Sequence, residues 1–133
     1  MEVIRFPYER VIEINTLILS TEPGMKGPVD IPILQGALAR IDNAILYNNL
    51  DDIFEIAAKY TASIAVAHSL PDANKRTGLA VGLEYLSLND YEITIDNDCL
   101  AYAVRDLVLG EINESSFADI LYSSYIASSN HHE

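Results

Sequence analysis

The chain has 133 residues, half of them hydrophobic, with 20 acidic against 8 basic side chains and a net charge of −12. This length suits one domain with a real core and is too short for two. So acidic a surface disfavours direct nucleic-acid binding, whose affinity comes largely from phosphates neutralised by Lys and Arg. No apolar run reaches the roughly 18–20 residues of a membrane span, and Met1–Arg5 does not read as a secretory signal. The single cysteine, Cys99, excludes an internal disulfide framework and fits a reducing cytoplasm. It falls in a helical apolar stretch and is read as a packing residue.

The pattern is helical almost throughout. Apolar residues Val11, Ile12, Ile14, Leu17 and Ile18 predict a helix from Pro7 to about Ser20. Thr21–Pro28 holds two glycines and two prolines and must be a loop. Asp30 is a candidate cap for a helix over 31–42, with Pro32 tolerated in its first turn. After a break at Asn48-Asn49, the spacing of Leu50, Ile53, Phe54, Ala57, Tyr60 and Ile64 predicts a helix over 50–67, and His68 continues that stripe. Pro71 interrupts the pattern and biases Leu70 away from helix.

Asp72 then reads as the N-cap of a helix over 73–88, apolar on most faces and therefore central. Tyr91–Ile95 alternates and predicts a short extended segment. Asp96 or Asn97 starts a helix to Leu109, stopped by Gly110, and 113–116 opens a last helix to about Ala127. His131 and His132 read as a terminal tail rather than a ligand pair.

Residues 68–76, His-Ser-Leu-Pro-Asp-Ala-Asn-Lys-Arg, concentrate chemistry between two apolar helices. A helix start offers free backbone N–H groups and a positive dipole end, which together form an anion site. Lys75 and Arg76 fall in that first turn, where cations are unfavourable unless an anion binds. Arg76 suits bidentate phosphate binding and Lys75 acts as a point charge. Asp72 suits Mg²⁺, which takes one or two carboxylates plus substrate phosphates. Ala73 is small enough for backbone to approach a ligand, and His68 can take a proton from an attacking hydroxyl. Taken singly, each has a plainer reading: His68 a core histidine, Asp72 a cap, and Asn74, Lys75 and Arg76 solvated first-turn residues. Two cations at the positive end of a helix are what the plainer readings leave unexplained.

His-x-hydrophobic-x-Asp-Ala-Asn-Lys-Arg-Thr at 68–77 resembles the signature of the Fic/Doc superfamily, in its Doc (death-on-curing) branch. General Fic enzymes carry His-Pro-Phe-x-(Asp/Glu)-Gly-Asn-Gly-Arg with a second arginine three residues on. Here Ala73-Asn74-Lys75 replaces Gly-Asn-Gly, Leu79 holds the second-arginine position and Leu70 replaces phenylalanine. The resemblance extends to Pro23-Gly24-Met25, Leu38-Ala39-Arg40, Asp52-Ile53-Phe54-Glu55 and Tyr85-Leu86 followed by Asn89.

That resemblance implies an all-α domain of about six helices, with the motif on a loop between two central ones. It implies an ATP-using transferase. Fic proteins move AMP to a target hydroxyl. Doc toxins present the terminal phosphate instead and phosphorylate elongation factor Tu, and Lys75 in place of glycine is the residue that crowds and recharges the pocket. By the same resemblance His68 is the general base and Asp72 holds Mg²⁺. Ala73 and Asn74 cradle phosphate, Lys75 and Arg76 hold nucleotide phosphates, and Gly24, Met25, Lys26 and Gly27 belong to a flap that positions the target. The implied partners are a cognate antitoxin, a translation factor and ATP, with no nucleic acid or membrane. The alternatives are an AMP transferase and a degenerate domain that only binds a partner. Leucine at position 70 should keep the loop anchored in the core with some loss of packing.

Overall fold

The computed structural model describes residues 4–95 and 98–130. The all-α expectation holds: six helices occur among the described residues, α1 (Tyr8–Thr21), α2 (Ile31–Tyr47), α3 (Ile53–Ala67), α4 (Asn74–Leu88), α5 (Asp98–Leu109) and α6 (Glu114–Asn130). Three starts are fixed by a side chain satisfying an orphan N–H. Asp30 accepts from Ile33 N at 3.2 Å, Asp52 from Glu55 N at 3.0 Å and Asn113 from Ser116 N at 2.8 Å. The Asp52 cap is why α3 begins at Ile53 and not at Leu50 as the apolar spacing predicts. Conversely α2 runs past Asp42 to Tyr47, because Asn43–Leu46 contains no breaker before Asn48. Gly110, at φ 77°, ends α5 as its sequence position predicts.

α3 is the centre of the molecule. Its buried residues include Phe54, Ile56, Ala57, Tyr60, Thr61, Ile64 and Ala65, and it packs on α2, α4, α5 and α6. α3 and α4 form an antiparallel pair: a Cβ added at Gly82 would meet Ala57 and Thr61, while one added at Gly78 would meet Thr61 and Ala65. At Gly78 that atom would stand 2.7 Å from the Thr61 carbonyl oxygen, which is backbone and cannot swing aside. Gly78→Ala therefore separates the two central helices. The strain exceeds the roughly 1 kcal/mol that alanine gains over glycine in a helix, and overpacking of this kind costs about 1–3 kcal/mol. We expect a melting temperature lower by several degrees in a thermal denaturation scan.

α1 is held across α4 by a forked ion pair, Arg10 Nε and Nη2 donating to Glu84 at 2.8 and 2.6 Å, which keeps the Glu84 carboxyl below its usual range. Two buried tyrosines, Tyr60 and Tyr85, lie 5.0 Å apart and grip the N-terminal segment. Tyr60 Oη accepts from Phe6 N at 3.0 Å, and Tyr85 Oη donates to Ile4 O at 3.0 Å. Burial pushes the Tyr85 hydroxyl up to about 12.

Several expectations are corrected. Leu17 is 59 % exposed, while Asn15 and Leu19 share the buried face of α1 with Val11 and Ile14. Cys99 is exposed and not a packing residue, because the neighbouring Leu100 takes the inward position. Tyr91–Ile95 stays out of helix as expected and pairs in no strand among the described residues; Thr94 N donates to Ser128 Oγ at 2.9 Å, a side chain of α6. Asp96, Asn97, His131 and His132 lie outside the described residues. No helix among those described is long and apolar enough to cross a membrane.

Candidate active site

The six-residue bend between α3 and α4 carries the motif, and two non-glycine residues in the left-handed region set its shape. His68 (φ 54°) ends α3 and Ala73 (φ 59°) precedes α4. Each such residue costs on the order of 1–2 kcal/mol, which the packing around the bend must offset. Part of that support is Leu70, buried in the core at 5 % exposure, so leucine does anchor the loop. Asn74 closes the bend from inside: its Oδ1 accepts from Leu70 N at 3.3 Å and its Nδ2 donates to Leu70 O at 3.2 Å. The Asn74 side chain is thus spent on the loop, and what it can turn toward a ligand is its backbone N–H.

His68 does not continue the α3 stripe. The left-handed turn lifts it out of the helix and exposes it, so the core-histidine reading fails. Asp72 is not the cap of α4. The cap position is Ala73, α4 begins at Asn74, and no side chain caps it. The Asp72 carboxylate works across the loop instead, Oδ1 accepting from Ala73 N at 2.7 Å and Oδ2 from Met25 N at 2.8 Å. These two amides, Met25 first, hold its carboxyl below the usual range against desolvation, with a smaller contribution from the Arg76 charge. Asp72 is therefore ionised at neutral pH.

A cavity of about 260 Å³ opens beside this bend, lined by Ala65, His68, Asp72, Ala73, Asn74, Lys75, Arg76 and Val108. The sequence-predicted motif residues converge on it. The uncapped N-terminus of α4 faces the same space, with Lys75 exposed and without an ion-pair partner among the described residues. Free first-turn N–H groups and two cations make an anion seat.

The fit of Mg²⁺ rests on one carboxylate. Asp72 is ionised, and with each oxygen accepting one N–H it keeps lone pairs for a cation. No cluster of three or more candidate ligands exists among the described residues. That suits Mg²⁺ shared with substrate phosphates and not a dedicated protein cage.

The residues 22–30 strap lies over the bend. Asp30 N donates to Ser69 O at 2.7 Å, Gly27 sits against Pro71, and Met25 is held by Asp72 while its side chain is 71 % exposed. Gly24 lies where a side chain would strike Leu19, close to Asp72 and Arg76, and Lys26 is exposed on the outer run. Two supporting residues escaped the sequence reading. Buried Asn15 donates from Nδ2 to Asp72 O at 2.9 Å and to Thr77 Oγ1 at 3.1 Å. Glu22 accepts from Arg76 Nη1 at 3.2 Å. A polar residue inside the α1 stripe was the available signal for Asn15.

The arrangement defines a helical domain with a bend between its two central helices that gathers His68, Asp72, Lys75 and Arg76 around a cavity and is overlain by a backbone strap. The chain belongs to the Fic/DOC family, whose model matches residues 5–86, and to its Doc branch. It is 32 % identical over 117 residues, covering 88 % of this chain and 92 % of the relative, to the protein kinase doc of Escherichia phage P1.

Proposed function

We propose that this protein is the toxin of a toxin–antitoxin module, acting in the cytoplasm as a kinase that moves the γ-phosphate of ATP onto a hydroxyl of a translation factor resembling elongation factor Tu. The observation that carries the reading is the uncapped start of α4, with Lys75 and Arg76 beside a cavity that also holds His68 and Asp72. The kinase activity of the phage relative, as its name states it, supports the reaction type. At about 260 Å³ the cavity falls below the roughly 300–1,000 Å³ of sites that enclose a whole ligand. It suits the phosphate end, with the nucleoside lying outside.

In this mechanism the strap presents the target hydroxyl and His68 takes its proton as the oxygen attacks the γ-phosphorus. The new O–P bond forms, the bond from phosphorus to the bridging oxygen breaks, and ADP departs. Lys75, Arg76 and the N–H groups of α4 hold the negative charge, as phosphoryl transfer demands more than covalent help. Asp72 would hold Mg²⁺, which when bound would supply further positive charge at the phosphates. A cognate antitoxin is the expected binding partner.

The test is label transfer from ATP and Mg²⁺ to purified elongation factor Tu. Label from the γ and not the α position supports the kinase. Label from the α position assigns AMP transfer, and label from neither, with the chain folded, leaves a partner-binding domain. Lys75→Ala should raise the KM for ATP roughly 10- to 100-fold, the range for a hydrogen bond to a charged group. An unchanged KM would remove Lys75 from the phosphate seat.

A further inference from the structure

The strap and the motif bend run antiparallel, and their contacts form a continuous register. Position 22 meets 76, 25 meets 72, 27 lies against 71 and 30 meets 69. At the first of these, Glu22 Oε1 accepts from Arg76 Nη1 at 3.2 Å, and the adjacent Pro23 O accepts from Arg76 Nη2 at 3.1 Å. Both outer nitrogens of the guanidinium are therefore fixed on the strap side. Arg76 also lines the cavity. A guanidinium has five N–H donors in a rigid plane, so fixing two from one side sets the direction of the other three.

We infer that Glu22 is a positioning residue for phosphate recognition: it sets the plane of the Arg76 guanidinium and thereby joins the strap and the phosphate seat into one unit. This rests on the proposed function for the identity of the ligand. The opposite effect is also physical, since a carboxylate beside a cation competes with a phosphate for it. Exposure decides between them. The Arg76 and Glu22 side chains are 40 % and 48 % exposed, and a pair so solvated is a weak competitor. The guanidinium keeps three N–H groups besides the two that Glu22 and Pro23 accept, so a phosphate need not displace Glu22. What an unheld arginine loses at this depth is its orientation, because its long side chain carries much rotamer freedom.

The two effects have opposite signs. Binding of Mg²⁺·ATP to the intact chain is measured by calorimetry for wild type, Glu22→Ala and Glu22→Gln, with thermal melts as the folding control. Positioning predicts that Glu22→Ala weakens binding about two- to fivefold, the range of an exposed charged pair, and that Glu22→Gln, which keeps the acceptor oxygen, restores most of it. Amide exchange at Met25, read without nucleotide, should quicken in Glu22→Ala and recover in Glu22→Gln. Arg76→Lys, which lacks the rigid planar fork that Glu22 Oε1 and Pro23 O grip, should quicken it too. Tighter binding in either Glu22 variant, unchanged binding in both, or equal weakening in both overturns the inference. Wild type that binds Mg²⁺·ATP but transfers no γ-label sinks the kinase reading and leaves the Glu22 effect standing. Wild type that binds no nucleotide overturns both.

Discussion

Replacing His68 should abolish γ-label transfer while leaving the protein folded. General-base catalysis contributes about 10²–10⁴ in rate, so His68→Ala should bring transfer to the limit of detection with the KM for ATP little changed, because the role proposed for His68 is to take a proton and not to hold a phosphate. The backbone complicates the choice of substitution. His68 sits at φ 54°, a region that asparagine tolerates better than alanine. His68→Asn therefore keeps the bend and removes the base, whereas His68→Ala also adds on the order of 1 kcal/mol of strain. Both variants should lose transfer, and Asn should melt above Ala. Retention of substantial transfer in His68→Asn would assign the base elsewhere.

The helices were legible because burial imposes a period on the chain, and where burial is one-sided the period is clear. α1, the one-sided case, runs from Tyr8 to Thr21 against an expected Pro7 to Ser20, and even the central α3 ends at the expected Ala67. Boundaries went astray where a local polar group outvoted the pattern: Leu50 fits the α3 stripe, but the Asp52 cap sets the start three residues later, at Ile53. At the site, residue types were legible and their partners were not. Asp72 reads as a cap because Asp before a helix usually is one. Its acceptor oxygens instead serve Ala73 and Met25, and the second lies 47 residues away in sequence. Glu22 and Asn15 act across similar separations, on Arg76 and on Asp72 and Thr77, and no local spacing announces a contact of that kind. The left-handed backbone at Ala73 was equally hidden, since alanine carries the Cβ that this region disfavours.

On the proposed function Asp72 would serve the metal as well as the strap, so Asp72→Asn should act twice. Asparagine offers one acceptor oxygen and one NH₂ donor where the carboxylate offers two acceptors. Either Met25 N or Ala73 N then faces a donor, and one of the two contacts is lost. Amide exchange over residues 23–27 should quicken with no nucleotide or metal present. The charge that would hold Mg²⁺ goes as well, and transfer should fall on the order of 100-fold or more, beyond what weakening a residue behind the metal produces. Acid should imitate the first effect. Because the folded carboxyl is held below its ordinary value, its contribution to strap seating is present above the unfolded value and is lost as pH falls through the lowered folded one. Wild type should keep its slow exchange, corrected for intrinsic rate, from neutral pH through the ordinary carboxylate range and lose it only below. Asp72→Asn should show fast exchange at every pH. A strap that exchanges slowly in Asp72→Asn at neutral pH would mean that the Ser69 and Arg76 contacts suffice to seat it, and that Asp72 serves the metal alone.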